Sequence, residues 1–147
     1  MNKMITLHLK TKVILFNKIT MKEKFELEYL LKTSPRVLEN MIGTPSGLSE
    51  WFADDVNAHD DVFSFDWDGT IEEARLLHHK MNSRIRFIWL EDEENGLDTF
   101  FEINYQVDSM TSMVALRIID FSEPEDLENS KMLWDQQVND LKRLLGA

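Results

Sequence analysis

Cysteine is absent from the chain, which excludes a disulfide framework, a thiolate metal site and a cysteine nucleophile. A reducing compartment is compatible with this, and a cytoplasmic location is the expectation. No apolar run approaches the roughly 20 residues that a membrane-crossing helix needs, so no membrane span is expected. Clusters of Lys and Arg are missing as well: 16 basic residues stand against 27 acidic ones, for a formal charge of −11. That balance argues against a nucleic-acid partner, because phosphate contacts need concentrated positive charge. No phosphate-cradling glycine-rich loop is legible, which removes several enzyme classes. What is present is apolar material, with 43% hydrophobic content, nine Phe, four Trp and eight Met among 147 residues. This suffices for one domain with a real core and excludes disorder.

Residues 1–20 differ from the rest. They hold four of the 16 basic residues and no acid, so 12 basic residues stand against 27 acidic ones from Met21 on. His8, Lys10 and Lys12 interrupt the apolar run that a signal peptide would need. The reading is therefore an N-terminal extension over 1–20, upstream of the true start of the fold, and a single domain over 21–147.

The clearest element lies at the other end. From Ser122 to Ala147 the pattern predicts one long amphipathic helix, with Leu127, Trp134, Val138, Leu141 and Leu145 on an apolar stripe that Leu133 and Leu144 widen. Ser122 and Glu125 fit a capping box, Pro124 a first turn and Gly146 a stop. Such a helix needs a sheet beneath it. Phe25, Leu27, Tyr29 and Leu31 alternate with charged residues and predict a first strand over Glu23 to Lys32. Ser34-Pro35 and Thr44-Pro45 then start two short helices, the first with Val37, Leu38, Met41 and Ile42 inward, the second with Leu48, Trp51 and Phe52. After Phe52 the period is that of strands: Asp61 to Trp67, Thr70 to Lys80, then the runs through Ile85 to Trp89, Phe101 to Val107 and Val114 to Ile118. Asp68-Gly69, Asn82-Ser83 and Asn95-Gly96 supply the turns, and consecutive strands on short turns make an antiparallel meander. No internal repeat or low-complexity segment interrupts it. The fold class is α+β, a curved antiparallel sheet wrapped around a long C-terminal helix.

That order, with Ser34-Pro35-x-Val37-Leu38, Thr44-Pro45-x-x-Leu48-x-x-Trp51-Phe52 and the closing Trp134-x6-Leu141-Lys142-x-Leu144-Leu145, resembles the START-like (helix-grip, SRPBCC) superfamily. Within it, the chain is most similar to the branch of heat-shock-protein ATPase activators and polyketide cyclases. The resemblance covers roughly Met21 to Ala147. It implies a space between sheet and helix that often holds an apolar ligand, in a superfamily that includes carriers, cyclases and chaperone regulators.

Three other patterns compete for attention. Val62 to Ile71, with Asp66-Trp67-Asp68-Gly69-Thr70, resembles the first motif of haloacid-dehalogenase-type phosphatases, in which Asp66 would be the nucleophile and Asp68 the acid/base. That chemistry needs alternating helices and parallel strands, whereas the chain beyond Thr70 has the period of a meander; a hairpin explains the same letters. Asp54, Asp55, Asn57, His59, Asp60 and Asp61 begin like a calcium loop, but Asp60 stands where Gly is required and Asp66 where Glu is. A solvated acidic loop is expected there and again at Glu91 to Glu94. His78 and His79 are adjacent on a strand and point to opposite faces, so they do not chelate one metal; His78 is expected to share the inner face with Ala74 and Leu76. No metal site, cofactor or catalytic set is assigned.

The remaining constellation is the inner face of the sheet against the long helix. Phe65, Trp67, Leu76, His78, Phe87, Trp89, Phe101, Tyr105, Leu116 and Ile118, opposed by Trp134, Val138 and Leu141, form the expected ligand cavity. Large side chains also fill space, and the same residues could close it. Tyr105 and His78, then Arg75 and Glu102, are the candidate polar contacts. The primary expectation is a non-enzymatic domain holding a small apolar ligand. The alternatives are a module that engages a protein partner through its acidic surface, and a cyclase-like enzyme, for which no acid/base pair is legible.

Overall fold

The computed structural model describes residues 21–81 and 83–147, so the extension read over 1–20 lies outside the described residues. Strand β1 (Glu23–Leu31) buries Phe25 and Leu31 and half-buries Leu27 and Tyr29, as the alternation predicts. Two short helices come next, α1 (Pro35–Gly43) and α2 (Pro45–Trp51). Each starts on the expected device: the Ser34 hydroxyl accepts from the Val37 N–H at 3.3 Å and the Thr44 hydroxyl from the Gly47 N–H at 2.9 Å, with Pro next in each case. The Trp51 indole donates to the Met41 carbonyl at 2.9 Å and locks the two helices together.

The chain then lays down β2 (Asp55–His59), β3 (Val62–Trp67), β4 (Thr70–Lys80) and β5 (Arg84–Trp89), a short helix α3 (Leu90–Glu94), and β6 (Phe101–Val107) and β7 (Val114–Ser122). With β1 these form one seven-stranded sheet in the order β1-β7-β6-β5-β4-β3-β2, every neighbouring pair antiparallel. The curved sheet holds the C-terminal helix α4 (Leu127–Leu145) against its inner face. Leu133, Trp134, Val138 and Leu141 are its buried stripe, while Leu144 is exposed.

Four local expectations need correction. The acidic stretch from Asp55 to His59 is the edge strand β2, not a loop. Only Val56 is buried there, and the backbone ladder to β3 holds the segment while its charged side chains protect the edge. The second acidic run forms α3, and Asp92 within it is buried beside Lys22, whose ammonium lies 2.9 Å from the carboxylate. The long helix begins at Leu127, after a 3-10 turn at Pro124–Asp126. Ser122 closes β7; its hydroxyl donates to the Glu123 carbonyl and accepts from Ser130, each at 3.0 Å, so it caps nothing. In α1 the buried residues are Leu38, Glu39 and Ile42, with Val37 exposed, because polar partners on the sheet draw Glu39 inward.

Candidate functional site

The inner face is aromatic across β3, β5 and β6, and Phe52 sits at its centre. Its ring lies 5.2 Å from Phe65, 5.6 Å from Trp67, 5.8 Å from Phe101 and 5.5 Å from Trp134, measured between centroids. Phe63 and Phe87, at 4.9 Å, and Trp89 and Phe101, also at 4.9 Å, continue the array. The Phe52 carbonyl accepts from the Trp67 indole at 3.0 Å and from the Gln137 amide at 2.9 Å, which fixes α2, β3 and α4 on one atom. Such centroid distances are those of direct ring contact. In this half, the proposed lining residues pack on one another. Phe65, Trp67, Phe87, Trp89, Phe101, Tyr105, Leu116, Ile118, Trp134, Val138 and Leu141 are all buried, and Leu76 is half-buried.

His78 is not among them. The register of β4 against β5 runs Leu76 opposite Phe87, then shifts, so that His78 stands opposite Arg86 and His79 opposite Ile85. Cross-strand partners share a face, and Ile85 is an inner residue. The extra residue in β4 therefore turns His78 to the outer face, where it is exposed, and His79 to the inner side. There the His79 Nε2 meets the Glu39 Oε2 at 3.0 Å, and the Tyr105 hydroxyl donates to the Glu39 Oε1 at 3.0 Å. Three elements, α1, β4 and β6, thus bring a carboxylate, an imidazole and a phenol together under α1. Gly43 makes room for them, since a Cβ there would fall 2.3 Å from the Glu39 Oε2 and 3.1 Å from the His79 Nε2. Burial, with the Glu39 bond second, pushes the Tyr105 phenol up to about 12. It stays a hydrogen-bond donor at any ordinary pH. The Glu39 side chain is 10% exposed and that of His79 25%, so the cluster borders solvent on the imidazole side. It can orient a bound polar group or relay a proton through His79.

A second polar group, half-buried, sits at the other end of the inner face. Asp120 lies opposite Phe25 and accepts from the Trp134 indole at 2.8 Å and from the Phe121 N–H at 2.7 Å. Burial raises its carboxyl to about 6, against the opposing effect of those two donors and of Lys22.

The other candidates fall elsewhere. Arg75 is held on the surface by Asp61 and Glu93, both at 3.1 Å. Glu102 is buried, yet on the outer face, between Arg86 at 2.8 Å and the Asn104 amide at 2.7 Å. Neither reaches the interior. Asp66 and Asp68 build a turn: the Asp66 carboxylate accepts from the Gly69 N–H at 2.8 Å, that of Asp54 accepts from the Asp68 N–H at 2.6 Å, and both Asp68 and Gly69 have positive φ. The phosphatase-like letters are those of a hairpin.

Sequence reasoning missed Phe52 as the hub of the interior, and missed Glu39, His79 and Asp120. Carrying the Val114, Leu116, Ile118 alternation one step further places Asp120 inward. No comparable signal marks Glu39, a charged residue beside a short apolar stripe.

A family model described as a START-like superfamily domain matches residues 19–147. No curated protein sequence matches the chain. Among solved structures, protein BfR322 from Bacteroides fragilis is 38% identical, with 86% of this chain and 92% of that one covered and a TM-score of 0.61. The Aha1 dimer from Colwellia psychrerythraea is similar in fold at 14% identity, covering 84% and 96% with a TM-score of 0.71. XoxI from Bacillus cereus is likewise similar in fold, at 11% identity, 83% and 94% coverage and a TM-score of 0.68. Among the described residues, no helix is long and apolar enough to cross a membrane.

Proposed function

Since the chain belongs to the START-like superfamily, we propose that it is a non-enzymatic binding domain for a small, mostly apolar molecule carrying one hydrogen-bonding group. The molecule sits on the α1 side of the inner face, with its polar group directed at Glu39, His79 and Tyr105. The observation that carries this reading is the convergence of those three side chains at one end of a mostly apolar inner face. Apolar ligands are oriented by a few polar groups set among hydrophobic ones. The aromatic array limits the site to this side, because ring contacts already occupy the space around Phe52. Native mass spectrometry of the protein from its own host, with denaturing extraction of any released molecule, tests the proposal. A stoichiometric small adduct in the wild type that is lost in Glu39→Gln and Tyr105→Phe, both still folded, is the expected result. A bare polypeptide that gains no thermal stability from lipid and polyketide panels would refute it.

The ring packing also favours a second reading, in which a filled interior leaves the acidic exterior to engage a basic patch on a protein partner. The fold similarity to the Aha1 dimer makes such a partner worth testing. Exposed charges are screened over about 8–10 Å at moderate salt. Capture of a partner that weakens steeply as salt rises, in a protein without adduct, is the outcome that selects this reading.

A further inference from the structure

On the outer face of the sheet, Arg84 of β5, Asn104 of β6 and Arg117 of β7 form one cross-strand row. Strands stand about 4.8 Å apart, so the two arginines flank Asn104 with roughly twice that spacing between their backbones. Both line a cleft of about 410 Å³ whose lining also includes Asn104, Gln106 and two carboxylates, Glu28 and Glu102. Among the described residues neither guanidinium has an ion-pair partner, although the chain carries an excess of acid. Glu102, the nearest buried carboxylate, is already taken by Arg86 and Asn104. Glu28, itself in the lining, is the cross-strand neighbour of Arg117 but forms no ion pair with it and is exposed to solvent. The Arg84 Nε is shut off from solvent without a hydrogen-bond partner, so a bound acceptor reaches it when the half-buried Arg84 side chain turns toward the cleft.

We propose that this cleft is a binding site for a small organic oxyanion, a carboxylate or phosphate ester, clamped between Arg84 and Arg117 above Asn104. Planar guanidinium groups bind such oxygens through paired, charge-assisted hydrogen bonds. The cleft has the volume of a small-molecule site. It lies on the opposite side of the sheet from Glu39, so it stands or falls independently of the interior ligand.

The test monitors the arginine Nε–H signals by NMR while inorganic phosphate, and separately acetate, is added to the full chain at constant ionic strength. The expected result is a saturable shift confined to Arg84 and Arg117, with at least tenfold weaker binding in Arg84→Gln and in Arg117→Gln. Arg143→Gln, on α4, should leave the affinity unchanged. Stronger binding of phosphate assigns the site to phosphate esters, and stronger binding of acetate to carboxylates. Shifts that grow linearly at all arginines alike, or saturable shifts that neither substitution weakens, overturn the proposal. The wild-type titration decides even where a variant does not fold.

Discussion

The imidazole of His79 lies 3.0 Å from the carboxylate of Glu39, forty residues earlier in the chain, because β4 contains one residue more than its partner strand allows. A regular β4 would have sent His78 inward and left Glu39 without the imidazole. The irregularity between Leu76 and His78 thus converts a surface histidine into a member of the inner cluster.

Gly43 is the residue on which that cluster depends. Gly43→Ala places a methyl group within 2.3 Å of the Glu39 carboxylate oxygen, so the side chain must move and its bonds to His79 and Tyr105 break. Leaving buried polar groups without partners costs about 1–3 kcal/mol, and chemical denaturation should show a loss of that size. In a Glu39→Ala background the main obstruction is gone, and the remaining neighbour, the His79 Nε2 at 3.1 Å, is the end of a side chain that can give way. There the same substitution should be neutral or slightly stabilising, by up to about 1 kcal/mol from helix propensity. An equal loss in both backgrounds would mean that the methyl group meets something else.

Gly47 poses a harder constraint. A Cβ at this position would lie 1.9 Å from the Asn40 carbonyl and 2.7 Å from the Met41 Cα, both backbone atoms. Backbone cannot swing aside as Glu39 can, so Gly47→Ala must separate α1 from α2 and carry Phe52 away from its rings. The cost should exceed that of Gly43→Ala, reaching about 3 kcal/mol or more, in the range of overpacked cores. Matched melts of the two variants give the order, and a smaller effect at Gly47 would be incompatible with the close approach.

How far the sequence reached differs between fold and site. The helix starts at Ser34 and Thr44, the Asp68-Gly69 hairpin and the stripe of α4 depend on local rules, and each appears where those rules put it, except that Leu144, read as part of the stripe, is exposed. Strand β2 was hidden because one buried residue, Val56, leaves no period to see; its order comes from pairing with β3. The site was less legible for the same reason. A bulge is invisible to an alternation count, and an inward-turned Glu39 is recognisable only when Tyr105 and His79 are already placed beside it.

Phe52 should be the most costly single truncation in the interior. Its ring touches Phe65, Trp67, Phe101 and Trp134, and its carbonyl position governs two side-chain donors. Phe52→Ala should cost about 3–5 kcal/mol, and near-UV circular dichroism should report loosened Trp67 and Trp134. A loss under about 1.5 kcal/mol, the level of a volume-conserving swap, would indicate that the array is not closely packed.

Asp120 makes stability depend on pH in the opposite direction to a salt-bridged carboxylate. Its carboxyl group is raised from an ordinary 3.8 to about 6, chiefly by burial. Below about pH 4 it is protonated in the folded chain and largely so in the unfolded one, and burial of a charge costs nothing. Between about pH 4 and 6 the folded state retains a proton that the unfolded state has released, so this group's contribution falls as pH rises. Above about pH 6 both states are ionised and the full penalty persists, roughly 3 kcal/mol for a shift of about two units. Asp120→Asn removes the charge while its amide oxygen can still accept from the Trp134 indole, and Asp92 still holds Lys22. Urea unfolding of wild type and variant from about pH 3.5 to 7 should therefore give nearly equal stabilities at the acid end. The variant should then gain progressively up to neutrality. Parallel curves would mean that Asp120 is ionised in the fold at an ordinary carboxylate pKa, its donors balancing its burial, and an advantage for the wild type that widens with pH would mean a lowered one, its donors outweighing its burial.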